Sequence, residues 1–353
     1  MSIKKMLVLA AVLVVAMFAL ASCAGPEGPA GAQGPAGPQG PAGPAGEAAK
    51  ATDLSCTQCH NDTAALEGKI YAWEESRHGT AGEAWILEAG RADCATCHSG
   101  ASFIAAMTAC QNLQTYPKTE GLVLPDATPQ TCRTCHTIHT TYTADDFALR
   151  TSAAVAMPIS GQTFDKGMGN LCANCHQARR YMANFAEKDA NGVVIPGSYK
   201  LTSSRFNPHL SVQADMLLGV GGGGTVTGSP SAHYTMTTDS CVTCHLGSNG
   251  NHTFKASVSA CVACHADAKN TDINGAVTAF EEKLTELETA LVDAGLLKDN
   301  GDGTFSAVVG TYVEAQAFPL WVYGYLEEDA SNGIHNMKYA NALLEAALAA
   351  FEK

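Results

Sequence analysis

The stretch Cys132-Arg-Thr-Cys135-His136-Thr-Ile-His139 sets the organisation of this 353-residue chain. Its first five residues form a Cys-x-x-Cys-His motif, the pattern of c-type haem attachment, in which two thiols add to the haem vinyl groups and the histidine becomes an axial iron ligand. His139 leaves the motif on the side of the haem that His136 already occupies. We therefore expect His139 to bind the iron of a neighbouring haem.

The same motif occurs six times, and we number the copies motifs 1 to 6 in chain order. The copies are Cys56-Thr-Gln-Cys59-His60, Cys94-Ala-Thr-Cys97-His98, Cys132-Arg-Thr-Cys135-His136, Cys172-Ala-Asn-Cys175-His176, Cys241-Val-Thr-Cys244-His245 and Cys261-Val-Ala-Cys264-His265. Disulfides or zinc sites would also use paired cysteines, but neither explains a histidine after every second cysteine. The sequence therefore predicts six covalently bound haem c groups, with the six motif histidines as proximal ligands.

The remaining histidines match the number of irons. The chain has 12 histidines, and the six outside the motifs are His78, His139, His209, His233, His252 and His335. One such histidine for each haem would give six irons with two histidine ligands each. Such irons transfer electrons but have no open position for a substrate.

The N-terminus has the features of an export signal. Lys4 and Lys5 precede an apolar run over residues 6–21 and the sequence Leu20-Ala21-Ser22-Cys23. The alternative interpretation is a transmembrane anchor, but the run is shorter than the ~20 residues that a spanning helix needs. We interpret residues 1–22 as a lipoprotein signal peptide and Cys23 as the lipidated residue. The predicted location is exported, anchored to the outer membrane and facing the periplasm or the cell surface.

Residues 23–50 carry glycine at every third position from Gly25 to Gly46. This collagen-like pattern predicts polyproline-II conformation, either as a semi-rigid spacer or as a trimerising segment. The net charge of -13 argues against nucleic acid as a partner.

The predicted fold is mainly α and loop-rich with little strand, organised around packed haems. We expect a hexahaem domain over 51–272 and a C-terminal helical region over 273–353 that packs on it. Within that region, Phe280, Leu284, Leu287 and Leu291 recur with the period of an amphipathic helix. Two further helical segments are expected at 321–326 and 339–351.

Three shorter features complete the prediction. Lys188-Asp-Ala-Asn191-Gly192 is typical of a hairpin turn. The four glycines of 221–224 indicate a flexible run. Arg179 and Arg180 either pair with haem propionates or are solvated.

Over roughly residues 50–350, the chain resembles the multihaem c-type cytochrome lipoproteins of anaerobic metal-respiring bacteria. The resemblance is carried by the six motifs, by Trp73-Glu-Glu-Ser-Arg-His78 and by Gly169-Asn-Leu-Cys172-Ala-Asn-Cys175-His176-Gln. More loosely, Gly333-Ile-His335-Asn and Leu343-Leu344 are similar to the C-terminal helices of the ammonia-forming nitrite reductase and octahaem reductase group. Those enzymes keep one haem with a free distal face, and their specialised attachment site is not present in this sequence. The second resemblance implies their scaffold rather than their activity.

These patterns favour an electron carrier in anaerobic or extracellular respiration, and not an enzyme. Its expected partners are other redox proteins and external metal or mineral acceptors, with the membrane reached through the lipid anchor. Two alternatives remain. One is a reductase of a small nitrogen or sulfur oxyanion at an open haem, and the other is a filament in which a free histidine binds the next subunit's haem.

Overall fold

The computed structural model describes residues 64–80, 87–110, 127–247 and 250–352. The predicted signal peptide, the predicted lipidation site, the collagen-like segment and motif 1 lie outside the described residues. All described parts belong to one compact unit, Lys50–Lys353. None of the helices in these parts is long and apolar enough to cross a membrane.

The helices are short around the motifs and long near the C-terminus, and we label them α1 to α13. They are Ala64–Glu74 (α1), Arg77–Thr80 (α2), Ala92–His98 (α3), Gly100–Ala109 (α4), Cys132–Cys135 (α5), Gly169–Ala173 (α6), Gln213–Leu218 (α7), Ala232–Thr235 (α8), Cys241–His245 (α9), Val258–Cys261 (α10), Ala276–Asp293 (α11), Glu314–Asp329 (α12) and Met337–Leu348 (α13). This distribution confirms a mainly α, loop-rich fold with helices at its C-terminal end.

The strands are few and form three small antiparallel sheets. They are Val155–Ala156 (β1), Thr163–Phe164 (β2), Ala186–Lys188 (β3), Val194–Leu201 (β4), Leu297–Asp299 (β5), Phe305–Ala307 (β6) and Gly310–Val313 (β7). β1 pairs with β2, β5 with β6, and β4 lies between β3 and β7. The turn between β3 and β4 confirms the predicted hairpin, in which Asp189 accepts hydrogen bonds from the backbone N–H groups of Asn191 and Val193.

The largest hydrophobic core lies among α11, α12 and α13. The four apolar residues predicted to form one face of α11 are all buried in it. Trp321 and Tyr325 of α12 are fully buried, and they share the core with Phe206 and Met216 from the segment between motifs 4 and 5. The C-terminal helices therefore support the part of the chain that carries the middle motifs.

The glycine run at 221–224 is packed, so the prediction of flexibility is wrong there. The Trp321 indole Nε1–H donates to the carbonyl of Gly221 at 3.0 Å, and the N–H of Gly222 donates to the Tyr339 hydroxyl at 3.0 Å. A Cβ on Gly222 would overlap both terminal methyl groups of Leu343. Glycine is required here for close approach of the backbone to α12 and α13.

Gly222→Ala is expected to destabilise the fold by about 1–3 kcal/mol, because Leu343 is fully buried and has little room to move. Gly68→Ala is the control, since a Cβ at Gly68 in α1 meets nothing within 4 Å. The free energy of unfolding from denaturant titration measures both. Equal stability of the two variants would contradict the packing seen at Gly222.

Candidate haem-binding sites

Each described motif forms a single helical turn. The His136 N–H donates to the Cys132 carbonyl at 2.9 Å, and the His265 N–H donates to the Cys261 carbonyl at 2.7 Å. Side chains at positions i, i+3 and i+4 of a helix lie on one face. Both sulfurs and the imidazole of a motif are thus presented to the same side, as covalent haem attachment requires.

Every motif histidine in the described residues faces the ring of a second histidine. The ring centres are 6.0 Å apart for His98 and His209, 6.2 Å for His136 and His252, 6.2 Å for His176 and His78, 6.4 Å for His245 and His335, and 6.4 Å for His265 and His233. Each pair combines one predicted proximal ligand with one predicted distal ligand.

The separation matches two imidazoles bound to one metal from opposite sides. A metal–imidazole nitrogen bond is about 2.0 Å and the ring centre lies about 1.2 Å farther on, so opposed rings are roughly 6.4 Å apart. All five separations fall within a few tenths of an ångström of this value. The residues present therefore fit a bis-histidine haem at motifs 2 to 6.

Hydrogen bonds fix which ring nitrogen is available to iron. The Nδ1 atoms of four ligands lie 2.7 Å from backbone carbonyls, namely His136 from Phe147, His233 from Ile334, His245 from Phe254 and His252 from Gly250. A carbonyl oxygen only accepts, so Nδ1 carries the proton in each ring. The other nitrogen, Nε2, is then the free lone pair that ligates a metal.

Burial favours the neutral form of five of the ten paired imidazoles. Burial, and then the charge of His176, lowers the pKa of His78 to about 4. Burial and nearby arginines lower the pKa of His209 to about 4. Burial also lowers the pKa values of His176, His245 and His252. A neutral imidazole is the form that binds a metal ion.

His335 has a carboxylate as its hydrogen-bond acceptor. Its Nδ1–H donates to the Asp329 carboxylate at 2.8 Å, and Asp329 is only 2% exposed. Burial opposes protonation of His335, but the charge of Asp329 and its hydrogen bond outweigh that effect and raise the pKa of the ring. The Ser331 hydroxyl donates to the second oxygen of the same carboxylate.

His139 lies in a loop that is ordered by one aspartate. The Asp146 carboxylate accepts hydrogen bonds from four consecutive backbone N–H groups, those of residues 139 to 142. Burial of Asp146 opposes its ionisation, but the bonds from Thr141, His139 and Tyr142 outweigh it and lower the carboxyl pKa to about 2. The His139 ring stacks on Tyr142 at 5.7 Å. The ring that faces His136 is that of His252.

Contacts between cysteines place several motifs side by side. The thiol of Cys172 in motif 4 is in hydrogen-bonding contact with Cys241 of motif 5. The other cysteine of motif 4, Cys175, is in the same kind of contact with Cys97 of motif 2. In a c-type haem each sulfur is two covalent bonds from the porphyrin ring. Rings held at motifs 2 and 5 would therefore both have an edge next to the ring at motif 4.

Motifs 3 and 6 extend this arrangement. Cys135 of motif 3 packs with Cys97 and Cys175 against one hydrophobic cluster that contains Phe103, Ala106, Met107 and Leu171. Cys261 of motif 6 lies close enough to Cys244 of motif 5 to contribute to raising its pKa, after burial, the larger cause. The five described motifs are thus not evenly spread, and motif 4 has the most neighbours among them.

Phe254 connects three of the sites. Its ring meets His78 edge to face at 4.8 Å and lies 5.9 Å from the ring of His252. Its carbonyl accepts the Nδ1–H of His245 at 2.7 Å. Ligands predicted for motifs 3, 4 and 5 therefore converge on one aromatic residue, which has a left-handed backbone with φ of 56°.

Arg179 and Arg180, for which the sequence leaves propionate pairing and solvation open, lie beside motif 2. The Arg179 guanidinium is 3.9 Å from the sulfur of Cys97, and Arg180 donates to the Asn207 side chain at 3.2 Å. Both contribute positive charge at His209. Their placement suits propionate binding at motif 2. That they bind propionates stays a prediction.

Sequence reasoning missed the residues that support the ligands. Asp329 and Gln213 hydrogen-bond the rings of predicted ligands, and Asp146 hydrogen-bonds the backbone of His139. The Phe254 ring packs against the ring of another predicted ligand. None belongs to a motif, and no spacing in a single sequence distinguishes them from ordinary polar or apolar residues.

Comparisons with known proteins give only distant similarities. No family model and no curated protein matches the chain. It is similar to the outer cell wall cytochrome OcwA, with a TM-score of 0.48 and 19% identity over 80% of this chain and 50% of that chain. It is also similar to the undecaheme cytochrome from the S-layer of Carboxydothermus ferrireducens, with a TM-score of 0.47 and 18% identity over 78% of this chain and 40% of that chain. The chain thus spans half or less of either protein, and the functional assignment rests on its own histidine geometry.

Proposed function

We propose that this chain is an electron-carrying multihaem c-type cytochrome with six covalently attached haems, each held by two histidines. The observation that carries the proposal is the set of five imidazole pairs at the spacing of two ligands on one metal. Bound haem supplies a one-electron ferric/ferrous couple. The paired imidazoles fill both axial positions and so exclude substrate from the metal.

The contacts among cysteines support a specific order of sites. Motif 6 adjoins motif 5, motif 5 adjoins motif 4, and motif 4 adjoins motif 2. Motif 3 forms a branch from motif 4, and His139, which follows motif 3, is proposed to bind the iron of motif 1. Motif 1 lies outside the described residues. In this order an electron moving from motif 5 to motif 2 or to motif 3 passes through motif 4. We call motif 4 the junction of the conduction path.

The redox step is a one-electron exchange at each end. Haem held by the paired histidines would take up one electron from a reduced redox protein and release it to the next site. The final acceptor is an oxidised redox protein or an external metal or mineral. We propose that the chain does this as an exported lipoprotein anchored through Cys23 to the outer membrane. Its collagen-like segment acts as a spacer or trimerises it.

The pairing favours a carrier over the two alternatives. A reductase needs one iron without a second protein ligand, whereas motifs 2 to 6 each have a second histidine opposite the first. A filament needs a histidine that is available to the next subunit. The candidates His78, His209 and His335 each face a motif histidine of their own chain.

The proposal is tested by counting haems in the purified holoprotein and adding cyanide to the oxidised form. We expect six haems for each chain and no stoichiometric cyanide binding, because no axial position is open. Tight binding of one cyanide for each chain would overturn the purely conducting function and favour the reductase.

A further inference from the structure

The buried carboxylate of Asp329 accepts a hydrogen bond from a predicted ligand of motif 5. Asp329 is the last residue of α12, and the chain then reverses through Ala330, whose backbone is left-handed with φ of 53°. This turn brings His335 back so that its Nδ1–H donates to Asp329 at 2.8 Å. Ser331 within the turn donates to the other carboxylate oxygen.

Five of the other paired histidines have uncharged acceptors. The Nδ1 atoms of His136, His233, His245 and His252 bond to backbone carbonyls, and that of His176 bonds to the Gln213 side-chain oxygen at 3.0 Å. An anionic acceptor pulls the Nδ1 proton more strongly than a neutral one and makes the imidazole a better electron donor. Burial strengthens this effect, because the charge is poorly screened in a low-dielectric interior.

We propose that Asp329 is a positioning residue that acts through His335 to lower the reduction potential of motif 5. This inference rests on the proposed function, since it requires a haem iron between His245 and His335. An imidazole with greater anionic character stabilises ferric iron over ferrous iron, which lowers the potential. Motif 5 adjoins motif 4 through Cys241 and Cys172, so a lower potential at motif 5 favours electron transfer towards motif 4.

Gln213 connects the two sites beyond the cysteine contact. Its amide N–H group donates to the Asp329 backbone carbonyl at 3.0 Å, while its oxygen accepts from the His176 ring at 3.0 Å. The ligand of motif 4 and the carboxylate that tunes motif 5 thus lie in one hydrogen-bonded unit.

The experiment is redox potentiometry of the holoprotein with Asp329→Asn, followed by EPR. We expect one of the potentials to rise, the EPR signal of one low-spin iron to shift, and the others to stay in place. Glu328→Gln is the matched control, because Glu328 hydrogen-bonds Asn207 instead of a predicted ligand. Burial, the largest cause, raises the pKa of Glu328 to about 7, so the comparison is made at about pH 9, where it is ionised.

Ser331→Ala provides a second and opposite test. Removing the hydroxyl donor leaves more negative charge on the carboxylate, so the same potential is expected to fall. If Asp329→Asn loses the axial ligand and its iron becomes high-spin, the potential of Ser331→Ala tests the role of Asp329 instead. Unchanged potentials in low-spin variants would overturn the role of Asp329 while leaving the proposed function intact. A wild-type protein without bound haem would instead refute the proposed function itself.

Discussion

His78→Ala is expected to convert one of six low-spin irons to a high-spin iron and to slow electron passage across the molecule by about tenfold or more, equivalent to about 1.4 kcal/mol of added barrier. His78 faces His176, so its removal opens the iron at motif 4. Loss of one histidine ligand favours the ferrous state and raises the potential of that site. An electron would then be held at the junction.

The effect is measured with two labels on the holoprotein. A photosensitiser on Asp267→Cys, in an exposed segment after motif 6, injects the electron, and an acceptor on Leu87→Cys, in the exposed turn packed on α3, receives it. His252→Ala is the matched control, because it opens the iron of motif 3 on the side branch. Equal slowing by both variants would contradict the order of sites proposed above.

His139→Ala is expected to open a different iron, the one attached at Cys56 and Cys59. The five described pairs use every other non-motif histidine, so our proposal assigns His139 as the second iron ligand at motif 1, together with His60. One high-spin iron for each chain should appear in EPR, and the oxidised protein should bind one cyanide. The described pairs at motifs 2 to 6 should keep their low-spin signals.

Tyr142→Phe is the control for this prediction. It keeps an aromatic ring stacked on His139 and removes only the hydroxyl, so all six irons should stay low-spin. Asp146→Asn should give a smaller effect than His139→Ala, because it weakens the hydrogen bonds that hold the loop without removing the ligand. Six low-spin irons in His139→Ala would show that another group binds motif 1.

Local patterns in the sequence predicted the parts of the fold that depend on local chemistry. The attachment motifs form helical turns because their spacing matches one turn of helix. The face of α11 follows from the spacing of Phe280, Leu284, Leu287 and Leu291, all of which are buried. The hairpin at Asn191 and Gly192 follows from turn chemistry.

Features that depend on distant parts of the chain could not be predicted. The pairing of His98 with His209, for example, requires the path of the whole chain between them. The glycine run at 221–224 has a composition typical of a flexible loop, but packing against Trp321 and Leu343 overrides that tendency. Asp329 meets His335 only because of a left-handed turn at Ala330, which sequence alone does not indicate.

EPR of the fully oxidised holoprotein, with a haem count, tests the five histidine pairs most directly. Nearly perpendicular imidazole planes make two iron d orbitals almost equal in energy and give a highly anisotropic, large-g signal, whereas planes at smaller angles give a rhombic signal. The ring planes meet at 82° in motif 4 and 70° in motif 6, and at 33°, 34° and 44° in motifs 2, 3 and 5. We expect six haems, two large-g and three rhombic low-spin signals from the described sites, and no high-spin iron. A stoichiometric high-spin iron, or rhombic signals alone, would contradict the pairing.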